Sequence, residues 1–163
     1  MANQQQIDIM EQGTDVWNRW RHENPTEEPD LHEIDLTQSN LSGANLSRAN
    51  LSGTKLSGAN LSKTDLSWSS LAGADLIKDD LSDSNLSGAD LSGANLTEAN
   101  LTRANLSQTT LIDTNFIGAN LSQANLSGAD TTGTFFRGAD LRATIITPEQ
   151  LSKAKTPDEL PPH

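Results

Sequence analysis

Cysteine is absent from this chain of 163 residues, which excludes a disulfide framework, a redox pair and a thiolate metal site. Long apolar runs are absent as well, and none approaches the roughly 18 residues that a membrane span needs. The opening stretch, MANQQQIDIM, has neither the basic segment nor the apolar core typical of a signal peptide. We therefore expect a cytoplasmic protein without a membrane partner.

Basic residues are scarce, since 11 Lys and Arg stand against 22 Asp and Glu, for a net charge of -11. The acidity is uneven: the net charge is -5 in residues 1–30 (seven acids, two bases) and -5 in residues 31–143 (twelve acids, seven bases). No cluster of Lys and Arg offers the electrostatic footprint of a nucleic-acid site. DNA and RNA are therefore not expected as direct ligands.

Catalytic patterns are missing too. The three histidines, His22, His32 and His163, fall before, at the start of and after the repetitive part of the chain, so they imply no pair or triad. Serine is frequent but recurs without a matching histidine to activate it. The chain also lacks a phosphate-binding loop and the glycine-rich nonapeptide that binds calcium. We expect no enzyme, no cofactor and no metal.

What the chain does have is a leucine at every fifth position. The series runs from Leu31 to Leu141, and 20 of its 23 positions are Leu, the exceptions being Phe116, Thr131 and Phe136. A helix repeats near 3.6 residues and a strand at 2, and a coiled coil needs spacings of three and four. The period of five therefore predicts a repeated architectural unit in which the leucines form one apolar column.

Each unit contains a small residue two places before Leu, then Asn or Asp, then Leu followed by Ser or Thr. In an extended segment alternate residues share a face, so Leu and the small residue should point inward. Ten of the 11 glycines fall two places after the Leu position, where a type II turn needs a positive φ. Units with another residue there are expected to use a different turn type, namely those of Arg48, Lys63, Trp68, Lys78 and Arg103.

Tandem A(D/N)LSG units, as in GANLSRANL and GADLSGANLTEANL, closely resemble the pentapeptide-repeat family. The resemblance implies an all-β solenoid, a right-handed quadrilateral β-helix with four units and so 20 residues per coil. Residues 20 apart should then stack. This predicts Phe116 over Phe136 and Arg48 beside Trp68, and it predicts charge pairs of Lys78 with Glu98 and of Asp83 with both Lys63 and Arg103.

The ends of an open coil need caps. We assign residues 1–30 to a helical N-terminal cap and linker, 31–143 to the β-helix, and 144–163 to a short C-terminal helix and an irregular tail. In the N-terminal cap, Ile7, Met10, Trp17 and either Trp20 or Arg21 have helical spacing, and Thr14 is a candidate cap of a second helix if Gly13 breaks the first. Trp17 and Trp20 are expected to lie on the first coil.

At the other end, Thr147 and Pro148 mark a helix start. Ile145, Ile146 and Leu151 are expected to point inward and close the coil, with Phe135 and Phe136 as structural cap residues. If the helix leaves the Phe pair uncovered, this end is the expected homodimer surface; otherwise the protein is a monomer.

One residue breaks the interior rule, because Asp79 occupies a small inward position between Ala59 and Ala99 of the neighbouring coils. A bare carboxylate there is costly, so it should be hydrogen-bonded, protonated or swung outward. Both a structural irregularity and a functional pocket remain open.

A rigid rod without reactive groups presents surfaces, so the leading hypothesis is a protein-binding scaffold or regulator. The alternative is a DNA mimic that inhibits a topoisomerase, and a third is ice binding by the serine column. The candidate partner surface has isoleucine at corners where Ser or Thr is usual, with a polar rim; it comprises Ile77, Lys78, Glu98, Ile112 and Ile117.

Overall fold

The backbone pairs with itself at intervals of 20 residues in the computed structural model, which describes residues 1–155. Twenty parallel bridges run in unbroken register, from Asp30 with Asn50 to Asn125 with Ile145. Each bridge is a single residue pair, so the described chain contains no longer strand. One coil therefore holds four five-residue units, and the coils stack into a four-sided β-helix. The predicted irregular tail, 156–163, lies outside the described residues.

Hydrogen bonding accounts for the composition of the unit. The N–H groups of the Leu and of the turn residue donate to the next coil, the small residue closes the turn, and the Asn or Asp donates to the previous coil. The remaining N–H, one place after Leu, donates to the Asn or Asp side chain, as Thr102 does to Asn100 at 3.2 Å. Asn and Asp recur because their short side chains can accept from the backbone two residues on.

The interior is a column of Leu and Ala side chains, as predicted. Leu91 and Ala94 are fully buried mid-rod, whereas Ser92 on the adjacent corner is half-exposed. Threonines at the small position also point inward, and most of their hydroxyls donate to leucine carbonyls of the preceding coil, as Thr64 does to Leu41 at 2.9 Å. Because these polar atoms are paired, they sit in the core at little cost.

The prediction of a second turn type was wrong. The five non-glycine corner residues named above have φ between 57° and 60°, as glycine-like as their neighbours. Their turns also close with the same hydrogen bond, as between the N–H of Ala49 and the carbonyl of Leu46 at 3.1 Å. Inward packing of Leu and the cross-coil bond from each turn residue fix the corner, which offsets a backbone cost of about 1–2 kcal/mol.

Within residues 1–155, three helices flank the coils: α1 Gln4–Met10, α2 Thr14–Glu23 and α3 Pro148–Lys153. Gly13, with φ 104°, separates α1 from α2 and is itself the N-cap of α2. The prediction that Thr14 caps this helix was wrong, since Thr14 is its first residue. The predicted start of α3 is confirmed, because Thr147 and Gln150 form a reciprocal capping box. None of the helices in residues 1–155 is long and apolar enough to cross a membrane.

At the N-terminal end, side chains of α2 pair with the open edge of the first coil. Asn18 accepts from the N–H of Asn45 at 2.8 Å and donates to the carbonyl of Gly43 at 3.0 Å. The indole Nε1 of Trp17 donates to the Asn45 carbonyl at 2.8 Å, and the buried Arg21 donates to a further carbonyl of that coil. The helix thus provides the hydrogen bonds that a preceding coil would provide.

Apolar packing completes this cap. Trp17 is fully buried, and the half-buried Trp20 lies with its ring centroid 5.1 Å from that of Trp17. From α1, Met10 is buried and Ile7 is partly buried against the same core. The residues that the sequence placed at helical spacing therefore form one apolar cluster over the first coil: Ile7, Met10, Trp17 and Trp20.

At the C-terminal end, α3 covers the last coil through a polar side chain. Gln150 is buried and its Nε2 donates to the carbonyls of Leu126 and Ala129 at 2.7 and 3.0 Å. The expectation that Ile145 and Leu151 point inward was wrong, because they are 58% and 43% exposed. The reason is that the two-turn α3 docks through its glutamine, which satisfies carbonyls that an apolar side chain would leave unpaired.

The two phenylalanines at this end, Phe135 and Phe136, are buried to different degrees in the last coil. Phe135 is buried, Phe136 is only partly buried, and the Phe136 ring stacks on Phe116 with centroids 5.7 Å apart and planes 8° apart. The predicted stacking of residues 20 apart is confirmed for this pair. Within residues 1–155, the N–H groups of Phe136 and Leu141 have no hydrogen-bond partner. Among the described residues, one half of the last coil is therefore left open.

Candidate interaction surfaces

The predicted isoleucine surface, formed by Ile77, Lys78, Glu98, Ile112 and Ile117, lies on two adjacent corners. Ile77 and Ile117 share one corner column two coils apart, and Ile112 lies on the neighbouring corner. Ile77 and Ile117 are half-buried, no more exposed than the serines that usually occupy this position, whereas Ile112 is 37% exposed. The structure thus groups these residues, but the apolar area that they expose is smaller than the sequence suggested.

Two of the three predicted charge pairs across the coils are formed, whereas Lys63 and Asp83 form no ion pair with each other within residues 1–155. Lys78 lies 3.4 Å from Glu98, and both side chains are exposed. Arg103 binds both carboxylate oxygens of Asp83, at 2.7 and 2.8 Å. This hydrogen bonding lowers the pKa of Asp83, with smaller contributions from the charges of Arg103 and Lys63. These carboxylates are neutralised by neighbouring cations, so the rod surface carries mixed charge.

Asp79 stays inside the rod. It is buried, its Oδ1 accepts from the N–H of Ala59 at 3.0 Å, and its Oδ2 has no partner in the described chain. Burial raises the pKa of Asp79 to about 8, against the opposing effect of backbone hydrogen bonds. Of the three outcomes expected, the carboxyl is therefore hydrogen-bonded and mostly protonated at neutral pH, and it is not swung outward.

A second exposed feature was missed as a site by sequence reasoning. Trp68 is 62% exposed and lines a cavity of about 460 Å³ with Glu28, Arg48, Asn50 and Ser70. We call these five residues the tryptophan corner. Arg48 lies beside Trp68 on this cavity, as the 20-residue register predicts, but it makes no cation–π contact with the ring within residues 1–155. Trp68 lies two places after Leu66, at the position where other units have glycine, whereas the isoleucines lie one place after their Leu or Phe.

The part of the chain that the structure describes contains no candidate metal site. Residues 1–155 contain no group of His, Asp and Glu arranged to hold a metal ion. His32 instead contacts Asp30, with Nδ1 2.6 Å from Oδ1, and this hydrogen bond lowers the pKa of Asp30. The pair lies at the first coil beside the N-terminal cap.

Comparison with known protein families identifies repeats over most of the chain. The model named Pentapeptide repeats matches eight copies, over residues 30–67, 80–118 and 119–147. The unmatched stretch between the first two ranges, 68–79, contains Trp68, Ile77 and Asp79, all departures from the repeat pattern. The comparison with curated proteins gives no match.

Several solved structures are similar. The crystal structure of Rfr23, a pentapeptide repeat protein from the cyanobacterium Cyanothece 51142, is 28% identical, with a TM-score of 0.58 over 80% of this chain and 97% of that one. A pentapeptide repeat protein from the Arabidopsis thaliana thylakoid lumen is 34% identical over 68% of this chain and 70% of its own, with a TM-score of 0.49. The plasmid-mediated fluoroquinolone resistance protein QnrB1, trypsin-treated, is 20% identical over 72% and 81%, with a TM-score of 0.38.

Proposed function

Because the chain belongs to the pentapeptide-repeat family, we propose that it is a non-catalytic protein-binding scaffold or regulator that presents a rigid, right-handed β-helical surface to its partner. The fold of Rfr23 supports the architecture. The proposal places the protein in the cytoplasm; the thylakoid lumen, the source of one similar structure, is the alternative compartment.

The observation that carries this proposal is the unbroken register of the bridges. All of them join residues 20 apart, so side chains on each face stand in fixed columns at the spacing of adjacent β-strands, about 4.8 Å. A partner that meets such a face finds its contacts already ordered, and less conformational entropy is lost on binding. Rigid presentation of side chains is what a scaffold requires.

We assign partner binding to the isoleucine surface. Ile77 and Ile117 interrupt a corner column of Ser and Thr, and the exposed Lys78–Glu98 pair provides a polar rim of the kind that surrounds interface cores. The test is affinity capture from native lysate with wild type and the double variant Ile77→Ser, Ile117→Ser. The variant restores the repeat pattern, so its melting temperature should stay within about two degrees.

The double variant should lose the principal captured protein, while the control Thr97→Ser, in the same column, should retain it. Undiminished capture by the double variant would remove this surface from the proposal. If wild type captures no protein that a denatured control does not also capture, the scaffold function itself is wrong.

The alternative, inhibition of a topoisomerase by DNA mimicry, requires dense negative charge along the rod. The repeat region has a net charge of only -5, and Arg103 and Lys78 neutralise carboxylates on its surface. We therefore expect no inhibition of DNA gyrase supercoiling at micromolar protein. Strong inhibition would favour mimicry over the scaffold.

For the oligomeric state, we propose that a second copy covers the open half of the last coil. Phe136 and Leu141 are partly exposed there, and Ile145 and Leu151 add exposed apolar surface. Sedimentation equilibrium should show a homodimer that the variant Ile145→Thr, Leu151→Ser weakens. A monomer at the highest concentration measured would overturn this part of the proposal.

A further inference from the structure

The tryptophan corner lies diagonally opposite the corner that carries Ile77, Lys78, Glu98 and Ile117, whereas Ile112 lies on a corner adjacent to it. A coil contains 20 residues, so a point ten residues along the chain lies half a coil away, and Lys78 is ten residues after Trp68. A partner bound to one corner therefore leaves the other free. The two surfaces can be tested independently by substitution.

Trp68 is held by the next coil. A methyl group added at Gly88 would lie 2.5–2.7 Å from three ring carbons of Trp68, so the ring rests directly over the Gly88 Cα. This contact covers one side of the ring and fixes its position. The other side borders the cavity, which is lined by residues of the preceding coil, Arg48 and Asn50, and by Glu28.

A tryptophan is not needed here for folding. Trp68 has φ 58°, a conformation that costs a bulky residue free energy and glycine almost none. Ten units of the same chain place glycine at this position. The chain thus keeps an exposed aromatic ring at a strained corner, in a stretch that the repeat model does not match.

Two polar groups near the ring have no partner among the described residues. The exposed guanidinium of Arg48 makes no hydrogen bond or ion pair among residues 1–155, and neither does the hydroxyl of Ser70. Asn50, by contrast, is engaged, since its Oδ1 accepts from the hydroxyl of Ser52 at 2.7 Å. A planar apolar surface, one free cation and one free hydroxyl therefore converge on the cavity of about 460 Å³.

We propose that the tryptophan corner binds an extended peptide segment of a partner protein, one that presents a carboxylate next to a proline or aromatic side chain. The apolar side chain packs on the Trp68 ring, and the carboxylate accepts hydrogen bonds from Arg48 and Ser70. Trp and Arg are the residues most enriched where binding energy concentrates in interfaces. This inference rests on the proposed scaffold function and names the chemistry of a partner at a second surface.

Charge also selects against other anions. Glu28 stands on the rim of the cavity, and the whole chain carries a net charge of -11. A nucleotide or a nucleic acid brings several negative charges against one free guanidinium, whereas a peptide carboxylate brings one. Among anionic ligands, a singly charged one therefore meets the least repulsion from this electrostatic environment.

The test is selection of a random linear-peptide library on the purified full chain, followed by titration of the enriched synthetic peptides. Trp68→Gly and Arg48→Gly restore the glycine of other units, so neither should lower stability. The matched control is Gln108→Gly, in the same corner column two coils further on. A glycan array serves as a second arm.

Enriched peptides should carry Asp or Glu beside Pro or an aromatic residue. Trp68→Gly should weaken their binding by at least about thirtyfold and Arg48→Gly by about tenfold, with Gln108→Gly unchanged. Binding to wild type should also weaken as salt is raised. Peptides that bind Trp68→Gly as well as wild type, a basic consensus, or binding only to glycans would overturn the proposal. None of these results depends on lysate capture through the isoleucine surface, so the two proposals fail separately.

Discussion

The two ends of the rod differ in how completely the open edge of the terminal coil is capped. At the N-terminal end, Trp17, Asn18 and Arg21 of α2 pair with exposed backbone groups of the first coil, and the Trp17 ring is fully buried. At the C-terminal end, α3 docks through Gln150 and leaves Phe136 and Leu141 partly exposed. Since the middle coils are alike, the difference shows that capping depends on pairing the open backbone edge as well as on covering leucine.

Substitutions in the middle of the rod provide the reference for the losses of stability expected at both ends. Leu91→Lys places a charge in the fully buried column and should lower the free energy of unfolding by several kcal/mol or prevent folding. Ser92→Lys, on the half-exposed corner beside it, should change it by less than about 1 kcal/mol. Urea unfolding followed by circular dichroism measures both. Equal losses would contradict the inward assignment of the leucine column.

Disrupting the N-terminal cap should destabilise the protein nearly as much as disrupting the leucine column. Trp17→Ala removes a fully buried ring and the hydrogen bond to Asn45, so we expect a loss of about 3–5 kcal/mol. Trp20→Ala is the control, because Trp20 is only half-buried, and it should cost clearly less. If both variants unfold at the same urea concentration as wild type, α2 does not stabilise the first coil.

Asp79 destabilises the middle of the rod. Replacing it should therefore increase the difference in stability between the middle and the ends. Asp79→Ala matches Ala59 and Ala99 of the same column and removes the unpaired Oδ2, which should stabilise the rod by about 1–3 kcal/mol.

The gain from Asp79→Ala should depend on pH. The pKa of Asp79 is raised from 3.8 to about 8 in the folded protein, so between these values the unfolded chain releases a proton that the folded chain retains. Wild type should therefore lose stability relative to the variant as pH rises from about 4 to 8, and the difference should level off above 8. A difference that is constant across this range would contradict the buried protonated state.

The smallest effect is expected at the C-terminal end. Leu151→Ser changes a side chain that is 43% exposed, so the free energy of unfolding of the monomer should change by less than about 0.5 kcal/mol. Gln150→Ala in the same helix should cost more, since two carbonyls lose their donor. Thermal melting at low concentration compares the two. A larger loss from Leu151→Ser would mean that α3 docks through its apolar face.

Sequence reasoning predicted what the five-residue period controls. The inward leucines follow from a register that never shifts, and the 20-residue coil and the stacking of Phe116 on Phe136 follow from the family that this register resembles. It also located the start of α3, because Thr147 and Pro148 are a local signal. These features depend on neighbours in sequence or on residues at a fixed separation.

What it missed depends on three-dimensional context. Asn18 and Gln150 cap the coils because their amides meet open backbone groups, and no periodicity marks such a residue. Arg48 and Trp68 adopt a positive φ because packing of neighbouring coils overrides local preference. The position of the Trp68 ring depends on the absence of a side chain at Gly88, over which the ring rests. These outcomes were accessible only once the coils had been placed.

Native-state hydrogen exchange tests the unequal ends most directly. The N–H of Asn45 bonds to Asn18 at 2.8 Å, whereas those of Phe136 and Leu141 have no partner among residues 1–155. We predict that Asn45 exchanges as slowly as Asn85 in the middle of the rod, and that Phe136 and Leu141 exchange close to the unprotected rate. Exchange of Asn45 as fast as Phe136, or protection of Phe136 and Leu141 equal to Asn85 in the monomer, would contradict the account.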